Sequence, residues 1–264
     1  MPRVRSGDAD MVYETFGDGP PVVLLHPFPA CREFWMPAAE MLAARYRIIL
    51  PDLRAHGESD AGEGPATMEK HAADLARVCD DAGIGRAVFA GVSIGGYVLF
   101  EFWRRSRGRV AGLILSNTRA QPDTAEARAN RLKAAEDVLE RGTEPFIESM
   151  LPKLLGESTH RARPDLIAAA RTMMRKMSAE DIAAVQRGMA ERPDSIPTLK
   201  TINVPTLVLA GEEDTLTPVA DAEIIRHNIS GAELRLIPKA GHYAPFEQSA
   251  EVGAMVRTFL DRMQ

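Results

Sequence analysis

Residues 87–97 read Ala87-Val88-Phe89-Ala90-Gly91-Val92-Ser93-Ile94-Gly95-Gly96-Tyr97. A short apolar run enters a Gly-x-Ser-x-Gly string and passes at once into a helical pattern. Small residues two before and two after the serine let the backbone turn sharply enough to push the hydroxyl out above a sheet. The serine then sits at a helix N-terminus, where amide groups and the helix dipole favour a developing anion. The five-residue string recurs by chance in unrelated chains; the strand–turn–helix context gives it weight. The plainer alternative is a Gly-rich turn that packs a helix close to a strand, with Ser93 no more than an N-cap.

The same alternation extends in both directions. Short apolar, β-branched runs at 11–16, 22–26, 47–51, 87–91, 110–116, 204–210 and 234–237 predict strands. Val22-Val23-Leu24-Leu25 and Thr206-Leu207-Val208-Leu209 are apolar at both parities, as strands buried on two faces should be. Helical patterns occupy 33–45, 68–82, 94–107, 218–228 and 247–262, with Thr67 and Thr217 placed as N-caps and Pro218 at a first helical position. This order predicts an α/β fold: a mostly parallel central sheet with helices on both faces. From 121 to 195 no strand pattern occurs. Leu166, Ile167, Ala170, Met173, Met174 and Met177 form an amphipathic stripe, and Ser178-x-x-Asp181 resembles a capping box. The expected organisation is a core domain of residues 1–120 and 196–264, with a helical lid over 121–195.

Composition narrows the function. The 264 residues fit one large domain or one domain carrying an insertion. With 32 basic against 37 acidic residues the net charge is −5, which lacks the positive field that draws phosphate backbones, so nucleic acid is not an expected partner. No run approaches the roughly 18 apolar residues of a membrane span, and the charged N-terminus lacks a signal-peptide core. Two cysteines, Cys31 and Cys79, without a Cys-x-x-Cys pair, give no zinc ribbon or disulfide framework. No metal-ligand cluster or nucleotide loop is present, so neither metal nor cofactor is expected. The expected setting is the cytoplasm, with a monomer or homodimer acting on a small molecule and no membrane partner.

A serine hydroxyl needs a base to take its proton and a third group to orient that base. Of six histidines, His71, His160 and His227 fall in charged helical surroundings and read as surface positions. His242 lies in Pro238-Lys239-Ala240-Gly241-His242-Tyr243, a loop after the last strand. Glu212, Glu213 and Asp214 follow the 204–210 strand on the same rim; Asp214, which ends the cluster, is the assigned orienting acid, with Asp52 in reserve. The chain order Ser93, Asp214, His242 is the order of hydrolases built on this architecture.

With these residues in view, the chain resembles the α/β-hydrolase superfamily over nearly its whole length. His26-Pro27-Phe28-Pro29 resembles the His-Gly-apolar-Pro oxyanion loop of that family. Residues 52–59, Asp-Leu-Arg-Ala-His-Gly-Glu-Ser, match its Asp-x-Arg-Gly-x-Gly-x-Ser segment, with Ala55 in place of a glycine. The resemblance implies oxyanion-hole amides from Phe28 and Ile94. Proline has no N–H, so Pro27 and Pro29 leave Phe28 the only donor among 27–29. It also implies structural roles for His26, Asp52 and Arg54, while His56 could line the entrance. The basic run Arg104, Arg105, Arg107 and Arg109 reads as a solvated helix end.

The expected activity is hydrolysis of a small-molecule carboxylic ester of small to medium acyl size through Ser93, His242 and Asp214 and an acyl-enzyme. A lactonase or C–C hydrolase would use the same residues, and Leu115-Ser116-Asn117-Thr118 resembles the Leu-x-Asn-Thr segment of 3-oxoadipate enol-lactonases. A non-catalytic ligand receptor is the third class. A serine nucleophile argues against haloalkane dehalogenases and epoxide hydrolases, which use aspartate. The lid stripe predicts an apolar ceiling and hence uncharged esters. A dicarboxylate enol-lactone would instead need a cation from Arg119 or a lid arginine.

Overall fold

The computed structural model describes residues 1–263. Eight strands, β1 (Arg3–Ser6), β2 (Ala9–Phe16), β3 (Pro21–Leu25), β4 (Arg47–Pro51), β5 (Ala87–Val92), β6 (Val110–Ser116), β7 (Thr206–Gly211) and β8 (Glu233–Ile237), form one sheet in the order β1-β2-β4-β3-β5-β6-β7-β8. The β1–β2 and β2–β4 pairs are antiparallel and every other pair is parallel. The strand missing from the sequence reading, β1, is an edge strand of sequence RVRS in which only Val4 and Ser6 turn inward. Four residues with two arginines carry no apolar run to detect.

The helices are α1 (Met36–Leu42), α2 (Met68–Asp81), α3 (Ile94–Ser106), α4 (Ala125–Arg141), α5 (Thr143–Leu154), α6 (Glu157–Ala162), α7 (Pro164–Met174), α8 (Ala179–Ala190), α9 (Ile196–Leu199), α10 (Val219–Asn228), α11 (Ala244–Glu247) and α12 (Ser249–Asp261). The pattern over 33–45 resolves into a 3-10 turn at Arg32–Trp35 followed by α1. Side-chain parity sorts the core. Val23, Leu25, Phe89, Leu113 and Val208 pack with Leu75 of α2, Leu99 of α3 and Ile225 of α10. Val22, Leu24, Ala90, Ile114 and Leu209 pack with Leu42 of α1 and Val256 of α12. Apolar side chains at both parities of the same strands therefore fill two layers, one on each face of the sheet.

Between β6 and β7 the chain forms α4 to α9. The stripe on α7 is largely buried: Ala170, Met173, Met174 and Met177 are inside, and Leu166 and Ile167 are half-buried. Its polar face carries ion pairs from Arg175 to Glu144 and from Lys176 to Glu33. Local signals hold at two helix starts. Thr67 accepts from the Lys70 N–H, and Ser178 with Asp181 closes a reciprocal capping box. A third start differs, because Pro218 is the N-cap of α10 and the Thr217 hydroxyl donates to Asp214 instead. His71 also differs from its surface reading: it is fully buried in α2. No helix among the described residues is long and apolar enough to cross a membrane.

The strand order locates a crevice. From β3 the chain moves one way to β4, then crosses back over β3 to reach β5. Loops leaving neighbouring strands in opposite directions part at their carboxyl ends, and ligands bind there in open α/β sheets. The loops after β3, β5, β6, β7 and β8 carry Phe28, Ser93, Asn117, Asp214 and His242 respectively.

Candidate active site

Ser93 joins β5 to α3 with φ 55° and ψ −114°, a conformation that an L-residue holds only when its surroundings enforce it. Those surroundings are visible. A Cβ on Gly91 would lie 2.6 Å from the Gly95 carbonyl oxygen, and one on Gly95 would lie 2.9 Å from the Leu25 carbonyl oxygen. The two glycines are thus required by close backbone approach. The Ser93 N–H donates to the Ser116 carbonyl (3.1 Å), and its carbonyl accepts from the Thr118 hydroxyl (2.7 Å) and the Gly96 N–H (2.9 Å). Its hydroxyl makes no hydrogen bond among the described residues and lines a cavity of about 410 Å³.

His242 and Phe28 line the same cavity. His242 Nδ1 lies 2.9 Å from Asp214 Oδ2 in a buried pair. An ionised carboxylate only accepts, so the proton in that contact sits on Nδ1, and the lone pair of the neutral ring is the one on Nε2. Asp214 also accepts from the Thr217 hydroxyl (2.6 Å), Asn117 Nδ2 (2.9 Å) and the N–H groups of Leu216 (2.8 Å) and Thr217 (2.9 Å). Burial opposes its ionisation. The neighbouring His242 and the donors from His242, Thr217 and Asn117 outweigh burial and hold the carboxyl well below the usual carboxylate range.

The other acids are engaged elsewhere. Glu213 accepts from the N–H (2.8 Å) and hydroxyl of Ser158 at the start of α6. Asp52 is buried against Arg32, accepting from its guanidinium and from the backbone N–H groups of Arg32 (2.8 Å) and Glu58 (2.9 Å). It makes no hydrogen bond to His242 among the described residues. Arg54 grips Asp74 through two bonds of 2.7 and 2.8 Å, and Asp8 through one of 2.6 Å. His26 donates from Nδ1 to the Pro27 carbonyl (2.9 Å) and accepts at Nε2 from the Leu53 N–H (2.9 Å), tying the loop after β3 to the loop after β4. His56 is buried against His26 and Phe28 and is not on the cavity wall, which corrects its reading as an entrance residue.

The Phe28 and Ile94 N–H groups find no acceptor among the described residues. Sequence reasoning missed two neighbours of the acid. Asn117, at φ 46°, donates through Nδ2 to Asp214 and to the Gly241 carbonyl (3.1 Å). Its signal was an Asn directly after a strand, where left-handed backbone suits that residue. Thr217 reads in sequence as a cap because the Thr-Pro pair mimics a helix start. The cavity ceiling comes from α4, α5 and α8 rather than from the α7 stripe. Phe146 and Met150 of α5 and Met189 of α8 supply apolar wall, while Arg119, Arg131 and Lys153 bring cations into it. The apolar wall thus comes from α5 and α8 instead of the α7 stripe, and it carries cations as well: spacing marks a buried stripe but not the surface it is buried against.

A family model described as alpha/beta hydrolase fold matches residues 20–249. The 3-oxoadipate enol-lactonase 2 of Acinetobacter baylyi is 26% identical, over 97% of this chain and 94% of its own. A thermophilic esterase from Thermogutta terrifontis, solved with malate bound, superposes with a TM-score of 0.96 at 41% identity, covering 99% of this chain and 98% of its own. An enol-lactonase from Burkholderia xenovorans superposes with a TM-score of 0.92 at 25% identity, covering 98% of this chain and all of its own (100%).

Proposed function

On the premise that the chain belongs to the alpha/beta hydrolase fold family, we propose that it is a hydrolase of carboxylic esters working through Ser93, His242 and Asp214. One observation carries the reading. A serine in strained backbone shares a cavity with a histidine whose far nitrogen is fixed on a buried carboxylate. Ser93 Oγ attacks the ester carbonyl while His242 Nε2 takes its proton. The tetrahedral oxyanion is received by the free N–H groups of Phe28 and Ile94, each worth about 3 kcal/mol in such sites. His242 returns the proton to the departing alcohol as the C–O bond breaks, leaving an acyl group on Ser93. Water then attacks, deprotonated by His242, and the carboxylate leaves as Ser93 regains its proton. Asp214 keeps the imidazole in the required tautomer throughout. Helices α4 to α8 act as the lid, because α4, α5 and α8 supply cavity wall above the sheet rim.

A lactone is the second reading, favoured by the cations on the wall and by relatives named as enol-lactonases. It uses the same three residues, since a lactone is a cyclic ester. The test is turnover of short-chain esters beside enol-lactones by the wild type and by Ser93→Ala and His242→Ala. Each variant should lose a factor of about 10³ or more with either substrate class. Turnover that survives Ser93→Ala would refute the reading.

A further inference from the structure

We propose that the substrate carries a second, ionised carboxylate, received by Lys153 with Arg119 and Arg131; this rests on the Ser93 reading above. Face geometry puts the first cation in place. Phe146, Ser149, Met150 and Lys153 of α5 follow i, i+3, i+4, i+7 spacing, and all four line the cavity that holds Ser93 and His242. Arg131 comes from α4, and Arg119 lies in the loop after β6.

The charge around that wall does not balance. Asp123 is shared, its Oδ2 accepting from Arg131 (2.6 Å) and its Oδ1 from Arg192 (2.7 Å). Asp221 pairs with Arg119 at 3.2 Å. Lys153 has no carboxylate within 4.0 Å and no hydrogen bond among the described residues. Arg119, Arg131, Arg192 and Lys153 therefore stand against Asp123, Asp221 and the Asp214 carboxylate held by His242, four cations to three carboxylates, and Lys153 is the one without an acidic partner among the described residues. Arg192 is the buried member of the four. Its guanidinium is buried behind Tyr97, 4.5 Å from the ring centroid, and its Nε and Nη1 find no acceptor. Uncompensated positive charge in a concave site focuses potential on whatever enters. A neutral acyl chain would leave that field unused, whereas a carboxylate would satisfy it by charge-assisted hydrogen bonds. The flexible stem of Lys153 lets its ammonium follow carboxylates at differing depths.

Two substrates of equal length separate charge from size: monomethyl glutarate and methyl pentanoate, hydrolysed in a pH-stat above pH 7. The wild type should favour the anionic ester in kcat/KM by about tenfold or more, and added salt should erode that preference. Lys153 is exposed, so its variants should fold, which the melting temperature checks. Lys153→Gln should reduce the anionic-to-neutral ratio about tenfold, and Lys153→Glu should invert it. Equal rates on the two esters, or a ratio unchanged in both variants, would overturn the carboxylate proposal and leave the Ser93 reading standing. So would a protein that a fluorophosphonate labels at Ser93 but that hydrolyses neither ester. Turnover of either ester by Ser93→Ala would bring down the hydrolase reading itself.

Discussion

Asp214 collects five hydrogen bonds, and the arrangement makes its neighbours as informative as the acid. Asp214→Asn replaces an acceptor-only group with one that can donate, so the histidine loses its enforced tautomer. A fall in kcat of about 10⁴ with little change in KM is expected from steady-state kinetics. Asn117→Ala removes a donor from that carboxylate and strips the Gly241 carbonyl of its partner. A drop in kcat of about tenfold or more is expected, with a melting temperature a few degrees lower. An Asn117→Ala enzyme with the wild-type rate would deny the asparagine any positioning role. Glu213→Gln should leave the chemistry largely intact, because Glu213 holds Ser158 and not His242.

Among the elements, the β5–α3 turn was the most legible in sequence, because its glycines answer to backbone clashes that no other residue type avoids. Gly95→Ala should lower stability by about 1–3 kcal/mol and abolish turnover, since the methyl group must displace the end of β3. Thermal melting beside an activity assay checks both. The strands buried on two faces were legible for the same reason, as both parities had to be apolar. Less could be read where a residue's surroundings come from distant segments. His71 sits in a charged stretch of α2 yet is enclosed, and the α7 stripe turned away from the cavity while α5 supplied it. A periodicity identifies a buried face; only the packing says what buries it. At α8 the Ser178 cap is local and separable from the site. Ser178→Ala should reduce stability by about 1 kcal/mol, roughly 2–4 °C in Tm, with kcat unchanged.

The whole molecule inherits a pH sensitivity from its buried histidines. His26, His56 and His71 form a chain, with ring centroids 4.9 and 6.4 Å apart, joining the loops after β3 and β4 to α2. Burial disfavours their charged forms: it lowers His26 to about 4 and keeps His56 and His71 well below 6.5. The unfolded chain binds these protons near pH 6.5 and the folded chain does not. Their contribution is therefore complete above pH 6.5 and is lost as the pH falls from there towards 4, at up to about 1.4 kcal/mol per pH unit for each ring. The urea midpoint should drop clearly between pH 7 and pH 5. A midpoint constant over that interval would contradict the burial of these rings.

The sheet, the switch in strand direction and the helical insertion all converge on one serine, so the most direct measurement is covalent. The protein should be treated with a fluorophosphonate, digested and mapped by mass spectrometry. The account predicts a single adduct on the peptide bearing Ser93, with labelling slowed severely in His242→Ala. An adduct on another serine, or full turnover after exhaustive treatment with Ser93 unmodified, would contradict it.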